Sequence, residues 1–309
     1  MAEYHEAVKR YGRRSFLKGL VWGGVAVEAN RRLGVLSRLA NLVKGSIGPK
    51  EEGLSATGVT VEPSAKKLRD FSEFFANLTP NEQRIANEKV EAAKNTMSQI
   101  LDKDSYLSLS DFENEIRRNA KNAKLPDKVG DLLIGLIATE SHGDSEAVSA
   151  QQAAGLTQMS VKMAAKHKLS PQDRFIPVKI LAATANELKE EHDLRYGEWT
   201  ITLWSWHTGA ENMYAILREY FRDQYRENLP SENAEDYEEA MRRINLYKNK
   251  IAQHNLNFFK ILQSTKVSEM LSDKEKWDYT DEYIWRTIAS AKLFGDYKKD
   301  ILPQIASTP

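Results

Sequence analysis

The sequence predicts an all-α protein, and three observations lead to that prediction. Apolar residues recur at helical spacing through most of the chain after residue 63. Helix-start signals accompany them: Thr79-Pro80-Asn81-Glu82 combines a capping box with proline at the first helical position, and Ser110-Asp111-Phe112-Glu113 predicts a second helix start. No segment shows the convincing apolar/polar alternation that is typical of a half-buried strand.

The composition limits the classes of protein that this chain can represent. Its 309 residues are 41% hydrophobic, which suffices for one large or two modest domains. The 44 basic and 44 acidic residues balance, which argues against a general electrostatic grip on nucleic acid. There is no cysteine, and the histidines show no metal-ligand spacing such as HExxH. We therefore expect no metal and no other cofactor.

The first 63 residues are predicted to contain an export signal and a linker. Residues 12–19, "GRRSFLKG", resemble a twin-arginine export signal, so residues 1–29 are interpreted as that signal. The apolar segment that follows, residues 20–27, is far shorter than the roughly 20 residues that span a bilayer. Two alternatives stay open: an N-terminus that is not cleaved and contacts a membrane, and a basic amphipathic helix that stays on the protein. Residues 30–63 are interpreted as a linker region.

Two helical parts follow the linker. Residues 64–124 are predicted to form a small helical subdomain without recognisable chemistry, and residues 125–300 the main domain. A charged segment, about residues 218–276, is predicted to be an insertion in the main domain. We expect it to form a helical hairpin against the functional groove, replaceable by a short loop without loss of the fold.

Glu140 is the residue best suited to chemistry. It closes the apolar helical pattern "VGDLLIGLIATESHG" of residues 129–143. Apolar neighbours and the negative end of the helix dipole both raise the pKa of a carboxyl there, as a general acid requires. The loop of small residues after it would let a bulky ligand approach the backbone, and Gln158 offers an amide suited to a sugar.

The spacing of these residues resembles the signature of the soluble-lytic-transglycosylase family, which has a lysozyme-like fold. The first element is Glu140-Ser141, then Ala147-x-Ser149, then Ala153-x-Gly155-Leu156-x-Gln158. Residues 203–210, "LWSWHTGA", resemble the second element, and residues 280–284, "TDEYI", resemble the third. The elements occur in the family's order.

The resemblance implies an activity and a set of site residues. It implies a lysozyme-like transglycosylase domain that cleaves peptidoglycan glycan strands at the β-1,4 bond between N-acetylmuramic acid and N-acetylglucosamine. Glu140 would be the single acid and base, and the product would carry a 1,6-anhydro end. The positions that match substrate-binding residues are Ser149, Gln158, Trp206, His207 and Tyr283, where Trp206 and His207 replace the family's Tyr and Asn. Such an enzyme would act in the periplasm or at the cell wall, in agreement with the export signal.

Two other functions stay open at this level. A lysozyme- or chitinase-like hydrolase on the same fold would need a second carboxylate, for which Glu198, Glu211 and Asp278 are the candidates. A non-catalytic glycan-binding protein would keep the groove and lose the reaction. The substitutions at Thr157, Trp206 and His207 favour it slightly, whereas the Glu140-Ser141 pair and Gln158 argue against it.

Overall fold

The structure is a computed structural model that describes residues 71–75, 77–232, 234, 236–273, 277 and 279–300. Within those ranges it consists of helices joined by turns, with isolated β-bridges from Val148 to Ala154 and from Ala154 to Met159 and no strand. The all-α prediction is confirmed. The export signal and the linker lie outside the described residues. None of the described helices is long and apolar enough to cross a membrane.

The helices of the described part are numbered in chain order. They are α1 (Pro80–Ile100), α2 (Lys103–Asn122), α3 (Asp127–Ser141), α4 (Val161–Lys166), α5 (Pro177–Glu191), α6 (Trp199–Thr208), α7 (Ala210–Tyr225), α8 (Tyr237–Gln253), α9 (Phe258–Leu262), α10 (Thr265–Leu271) and α11 (Tyr283–Asp300). Two short 3₁₀ helices, Phe71–Phe75 and Pro171–Phe175, and a π-helical turn, His192–Tyr196, complete the list.

Side-chain caps explain where the first helices begin. Thr79 accepts the N–H of Glu82, and the Glu82 carboxylate accepts the N–H of Thr79 at 2.8 Å, so the predicted capping box is present. The helix start predicted at Ser110 is wrong, because α2 begins at Lys103 and runs through that position. Its cap is Asp102, which accepts the N–H of Ser105 at 2.9 Å. The helix starts upstream at the Asp102 cap, so the residues of the second predicted signal lie in the middle of that helix.

Helix α3 is the centre of the core, with α2 and α11 packed against it. Residues 129–138 are all buried. At Gly135 a Cβ atom would lie 2.0 Å from the carbonyl oxygen of Thr287, so glycine is what lets α3 and α11 touch. Glu140, near the end of α3, meets Tyr283 at the start of α11, and the two helices are therefore antiparallel.

The described residues before 125, which are 71–75 and 77–124, pack into the same core. All described residues belong to one compact unit, in which α1 packs on α11 and α2 on α3. The predicted subdomain 64–124 is helical where it is described, but it is not a separate body from the domain predicted at 125–300. The sequence boundary at residue 125 therefore marks a change of element and not a gap in the packing.

The segment predicted as an insertion, about residues 218–276, also belongs to this core. It contains the end of α7 and all of α8, α9 and α10. Its buried apolar residues are Phe221, Ile244, Tyr247, Ile251, Leu256, Phe258, Phe259, Ile261, Val267 and Leu271. Replacing the segment with a short loop would leave this apolar surface open, so its burial argues against the expectation that the fold would survive, which stays a prediction.

The insertion contacts the N-terminal and middle parts of α6. The N–H of Phe258 donates to Thr200 Oγ1 at 2.9 Å, and its ring meets the buried Trp204 edge to face at 4.6 Å. Lys248 on α8 donates to the carbonyl oxygen of Asp193 in the π-helical turn. Since Trp206 lies in the last turn of α6, these contacts do not support the expectation that the insertion covers the functional groove.

Candidate active site

Glu140 lies in the last turn of α3, and the chain reverses immediately after it. His142 and Gly143 both have left-handed backbones, with φ of 56° and 82°. Ser108 on α2 donates its hydroxyl to the carbonyl oxygen of Gly143 at 2.6 Å, which fixes the reversal to a neighbouring helix. Because α2 holds the turn that follows α3, both helices fix the position of Glu140.

Two effects act in opposite directions on the Glu140 carboxyl. Burial raises its pKa, and the net pKa is about 7 against the ordinary value of 4.5. Tyr283 donates its hydroxyl to Glu140 Oε1 at 2.8 Å, which stabilises the carboxylate and lowers the pKa. Burial is the larger effect. The structure therefore supports a high pKa, as the sequence predicts, and burial is its main cause.

Tyr283 is well suited to remain a donor. Only 2% of its surface is exposed, and burial raises its own pKa well above the ordinary 10. The phenol therefore keeps its proton at any physiological pH. It comes from the first residue of α11, and Trp204 on α6 donates to the carbonyl oxygen of Thr280 just before that helix at 2.8 Å. This bond fixes the start of α11 to α6.

The serine after Glu140 connects α3 to the loop that follows it. Ser141 is buried, and its hydroxyl is 2.7 Å from the carbonyl oxygen of Leu156 and 3.2 Å from that of Ile137. The loop of residues 147–159 is thereby held against the helix end that carries the acid. The Glu-Ser pair thus combines an acid with the residue that anchors the adjoining loop.

A glycine and a buried arginine shape this loop. Gly155 has φ of +77°, and a Cβ atom there would lie 1.9 Å from the carbonyl oxygen of Arg174. The Arg174 guanidinium is buried and donates to the carbonyl oxygens of Gln152 at 2.5 Å and Met159 at 3.2 Å. Sequence reasoning missed Arg174, because an arginine that serves distant backbone carbonyls carries no local sequence signal.

Ser149 and Gln158 both take part in the loop itself. Ser149 Oγ accepts the N–H of Ala153 at 3.1 Å. Gln158 donates its side-chain amide to the carbonyl oxygens of Ala147 at 3.1 Å and Gly155 at 3.0 Å. The Ser149 hydroxyl proton and the Gln158 side-chain oxygen are the atoms that these bonds leave for a ligand. The roles of both residues in substrate binding stay predictions.

Trp206 and His207 occupy the last turn of α6, and both are half-buried. The Trp206 ring N–H donates to the carbonyl oxygen of Thr157 at 3.1 Å. The Thr157 hydroxyl pairs with that of Thr184 on α5 at 2.8 Å, and both threonines are fully buried. Trp206 therefore holds the loop backbone, while the hydrogen bond to Glu140 comes from Tyr283.

The imidazole of His207 lies against the ring of Tyr283. The ring centroids are 4.4 Å apart, and the planes differ by 12°. Glu140, Tyr283 and His207 thus contact one another in series, from the carboxyl to the phenol to the imidazole. Trp206 and Gln158 contact the adjoining loop of residues 147–159.

Comparison with known protein families agrees with this geometry. Residues 118–228 match the family model described as Transglycosylase SLT domain, which is a little over a third of the chain. This chain contains an SLT domain. Members of that family are lytic transglycosylases, enzymes that cleave glycan strands, and the predicted family and lysozyme-like fold are confirmed. A search of the curated proteins found no match.

The matched part of the SLT domain holds Glu140, the loop and the end of α6. It stops before Tyr283, which comes from α11. The hydroxyl that contacts Glu140 is therefore supplied from outside the matched range, 143 residues further along the chain. Only the tertiary structure unites the two.

The other acids considered for the SLT domain have different surroundings. Glu198 caps the start of α6, where its carboxylate accepts the N–H of Ile201 at 2.8 Å and the hydroxyl of Thr200 at 2.6 Å. At about 1.5 Å per residue, Glu198 lies roughly 12 Å along the helix from Trp206. Glu211 is exposed in the first turn of α7, and Asp278 lies outside the described residues. No contact in the described part of the chain therefore places Glu198 or Glu211 beside Glu140.

In the described ranges, the SLT domain and the helices around it contain no group of three or more His, Asp or Glu side chains placed to hold a metal ion. The rings that contact Glu140, Tyr283 and the adjoining loop are a phenol, an imidazole and an indole. This set suits hydrogen bonding and stacking with a sugar, because such rings combine an apolar face with a polar edge.

Proposed function

We propose that this protein is a peptidoglycan lytic transglycosylase that cleaves the β-1,4 bond between N-acetylmuramic acid and N-acetylglucosamine. The observation that carries the proposal is Glu140, which lies within the SLT domain with a pKa raised to about 7 and a hydroxyl donor on one oxygen. A carboxyl with this pKa exists in both protonation states near neutral pH, so it can give up a proton and later take one back.

In the first step Glu140 is the general acid. The protonated carboxyl donates its proton to the glycosidic oxygen, and the bond from that oxygen to the sugar C1 breaks. The substrate's own acetamido group stabilises the positive charge that develops at C1. Glu140 is left as a carboxylate, which the Tyr283 hydroxyl stabilises through the 2.8 Å hydrogen bond.

In the second step Glu140 is the general base. Its carboxylate takes the proton from the C6 hydroxyl of the same sugar, and that oxygen attacks C1. The product carries a 1,6-anhydro end, and Glu140 regains its starting proton. One carboxylate is sufficient for both steps, in contrast to the two that most glycosidases use.

The residues around Glu140 offer contacts for the glycan. We assign substrate binding to the Ser149 hydroxyl, the Gln158 side-chain oxygen and the half-buried face of Trp206. Tyr283 contacts the site through its hydroxyl on Glu140. Stacking of an aromatic face on a sugar ring needs no hydrogen bond, so Trp206 can stack while its ring N–H holds Thr157.

The products distinguish this function from its alternatives. Purified glycan strands are digested with the protein, and the new ends are identified by mass spectrometry. Anhydro ends, lighter by one water than hydrolysed ends, are expected. Hydrolysed ends would assign the domain to a lysozyme- or chitinase-like reaction, and intact strands with retained binding would make it a glycan-binding protein. Glu140→Gln should abolish cleavage, whereas Glu146→Gln, at an exposed position after the helix, should retain it.

We further propose that the protein is exported by the twin-arginine route and works in the periplasm or at the cell wall, with an N-terminus that can stay as a membrane tether. The support is the "GRRSFLKG" sequence around Arg13 and Arg14, together with an SLT domain whose substrate lies outside the cytoplasm. Fusing residues 1–45 to a reporter that works only when exported folded tests this. Lys at both positions should stop export, because ammonium does not replace paired guanidinium groups in specific recognition. Equal export of both fusions would refute it.

A further inference from the structure

Tyr283 is held at two places. Its hydroxyl donates to Glu140 Oε1 at 2.8 Å, and one face of its ring lies on the imidazole of His207 with centroids 4.4 Å apart. The tyrosine is 2% exposed, whereas His207 is half-buried. His207 therefore covers the face of the ring that is turned toward α6.

The parallel arrangement restricts how the phenol can move. A tyrosine side chain has two rotatable angles, and displacing its hydroxyl requires the ring to swing or tilt. With the planes only 12° apart, a tilt drives the ring into the imidazole, and a swing toward α6 is blocked by it. The hydroxyl position on Glu140 thus depends on the flat surface that His207 supplies.

The elements around this pair are themselves fixed. Trp206, the neighbour of His207, is bonded to the loop through Thr157, and Trp204 is bonded to the turn before α11 through Thr280. The imidazole is therefore presented from a rigid helix, which is what holding a second side chain in place requires.

We propose that His207 is a positioning residue that acts through Tyr283 and keeps the phenol hydroxyl on Glu140. This rests on the proposed function for its kinetic consequence. It differs from the substrate-binding role that the sequence assigns to His207, and the two roles predict different kinetics. A sugar ligand affects mainly KM, whereas a residue that positions the acid's partner affects mainly kcat.

Three variants separate these roles. His207→Phe keeps a flat ring without a ring nitrogen, His207→Ala removes the ring, and His207→Asn keeps a polar group without a ring. With glycan strands as substrate, the Ala and Asn variants should lose about tenfold or more in kcat, with KM nearly unchanged. The Phe variant should retain most of the wild-type kcat. Far-UV circular dichroism confirms that each variant is folded.

A double-mutant cycle tests whether the effect passes through the tyrosine. Once Tyr283→Phe has removed the hydroxyl, His207→Ala should cause little further loss in kcat, because the interaction it supports is gone. Fully additive losses would overturn the proposal. So would a Phe variant as impaired as the Ala variant, or a rise in KM with kcat unchanged, which would make His207 a substrate ligand.

A second measurement does not depend on activity. Tyrosine nitration followed by peptide mapping should leave Tyr283 unmodified in the wild type and in His207→Phe, and modify it in His207→Ala. If the wild type fails to cleave glycan but this pattern holds, the proposed function is wrong and the structural relation between His207 and Tyr283 stands. Protection of Tyr283 in all three proteins would overturn the role of His207.

Discussion

Replacing Glu140 with glutamine should make the folded protein more stable at alkaline pH. The carboxyl has an ordinary pKa of 4.5, and burial raises it to about 7 in the folded state. A raised carboxyl pKa contributes stability that is fully present below pH 4.5 and is lost as the pH rises through 7. The amide of the Glu140→Gln variant has no proton equilibrium in this range and keeps an oxygen for Tyr283, so the variant should lack this pH-dependent loss.

The magnitude follows from the two pKa values. Each pKa unit corresponds to about 1.4 kcal/mol. Between about pH 5 and about pH 8 the wild type should therefore lose roughly 2 to 3 kcal/mol of unfolding free energy relative to Glu140→Gln. This is an upper bound, because the side chain is half-buried and water screens part of the charge.

Urea unfolding of both proteins at the two pH values measures this difference. Glu146→Gln is the matched control, since Glu146 is exposed and the substitution changes the same chemical group. The control should follow the wild type at both pH values. If the difference between wild type and Glu140→Gln is the same at both pH values, burial does not raise the pKa of Glu140, and the argument for its catalytic role loses its physical basis.

Three further predictions concern the loop, the tyrosine and the insertion. Gly155→Ala should unfold the loop and abolish cleavage, because its Cβ would lie 1.9 Å from a carbonyl oxygen. Gly197→Ala is the control: its backbone is left-handed with φ of +67°, and the nearest atom to a Cβ there, Lys248 Cε, lies at an ordinary 3.5 Å, so it should cost only about 1 kcal/mol of unfolding free energy. Tyr283→Phe should lower kcat and move the alkaline limb of the pH–rate profile to higher pH, because the lost hydrogen bond had lowered the pKa of Glu140; an unmoved limb would contradict that bond. Deleting α8–α10 should abolish cooperative thermal unfolding, whereas a folded, active deletion variant would show that these helices are peripheral.

Much of the helical framework could be predicted from the sequence. The apolar spacing of residues 129–138 matches a helix that is buried along that whole stretch, and the capping box at Thr79 is present as expected. The signal at Ser110 led to a wrong helix start, because the same residue types occur inside a helix whose cap is Asp102. A local capping signal shows where a helix could begin, but a cap further upstream can decide where it does begin.

The candidate site was predictable in part. Glu140 could be singled out because apolar neighbours and a helix end are visible in the local sequence. The roles of Ser141 and Trp206 were not visible in the sequence, since Ser141 donates to a loop carbonyl 15 residues away and Trp206 to one 49 residues away. Arg174, which braces the same loop, carried no signal at all.

The sequence by itself determined the all-α class, the position of the acid and the small-residue loop after it, because these depend on residues that are neighbours along the chain. Only the tertiary structure decided that Tyr283 would contact Glu140, that His207 would cover Tyr283, and that the supposed insertion would form part of the core. The reason is physical. Burial and side-chain contacts depend on which helices pack together, and in this protein that packing brings to the acid a hydroxyl from 143 residues further along the chain.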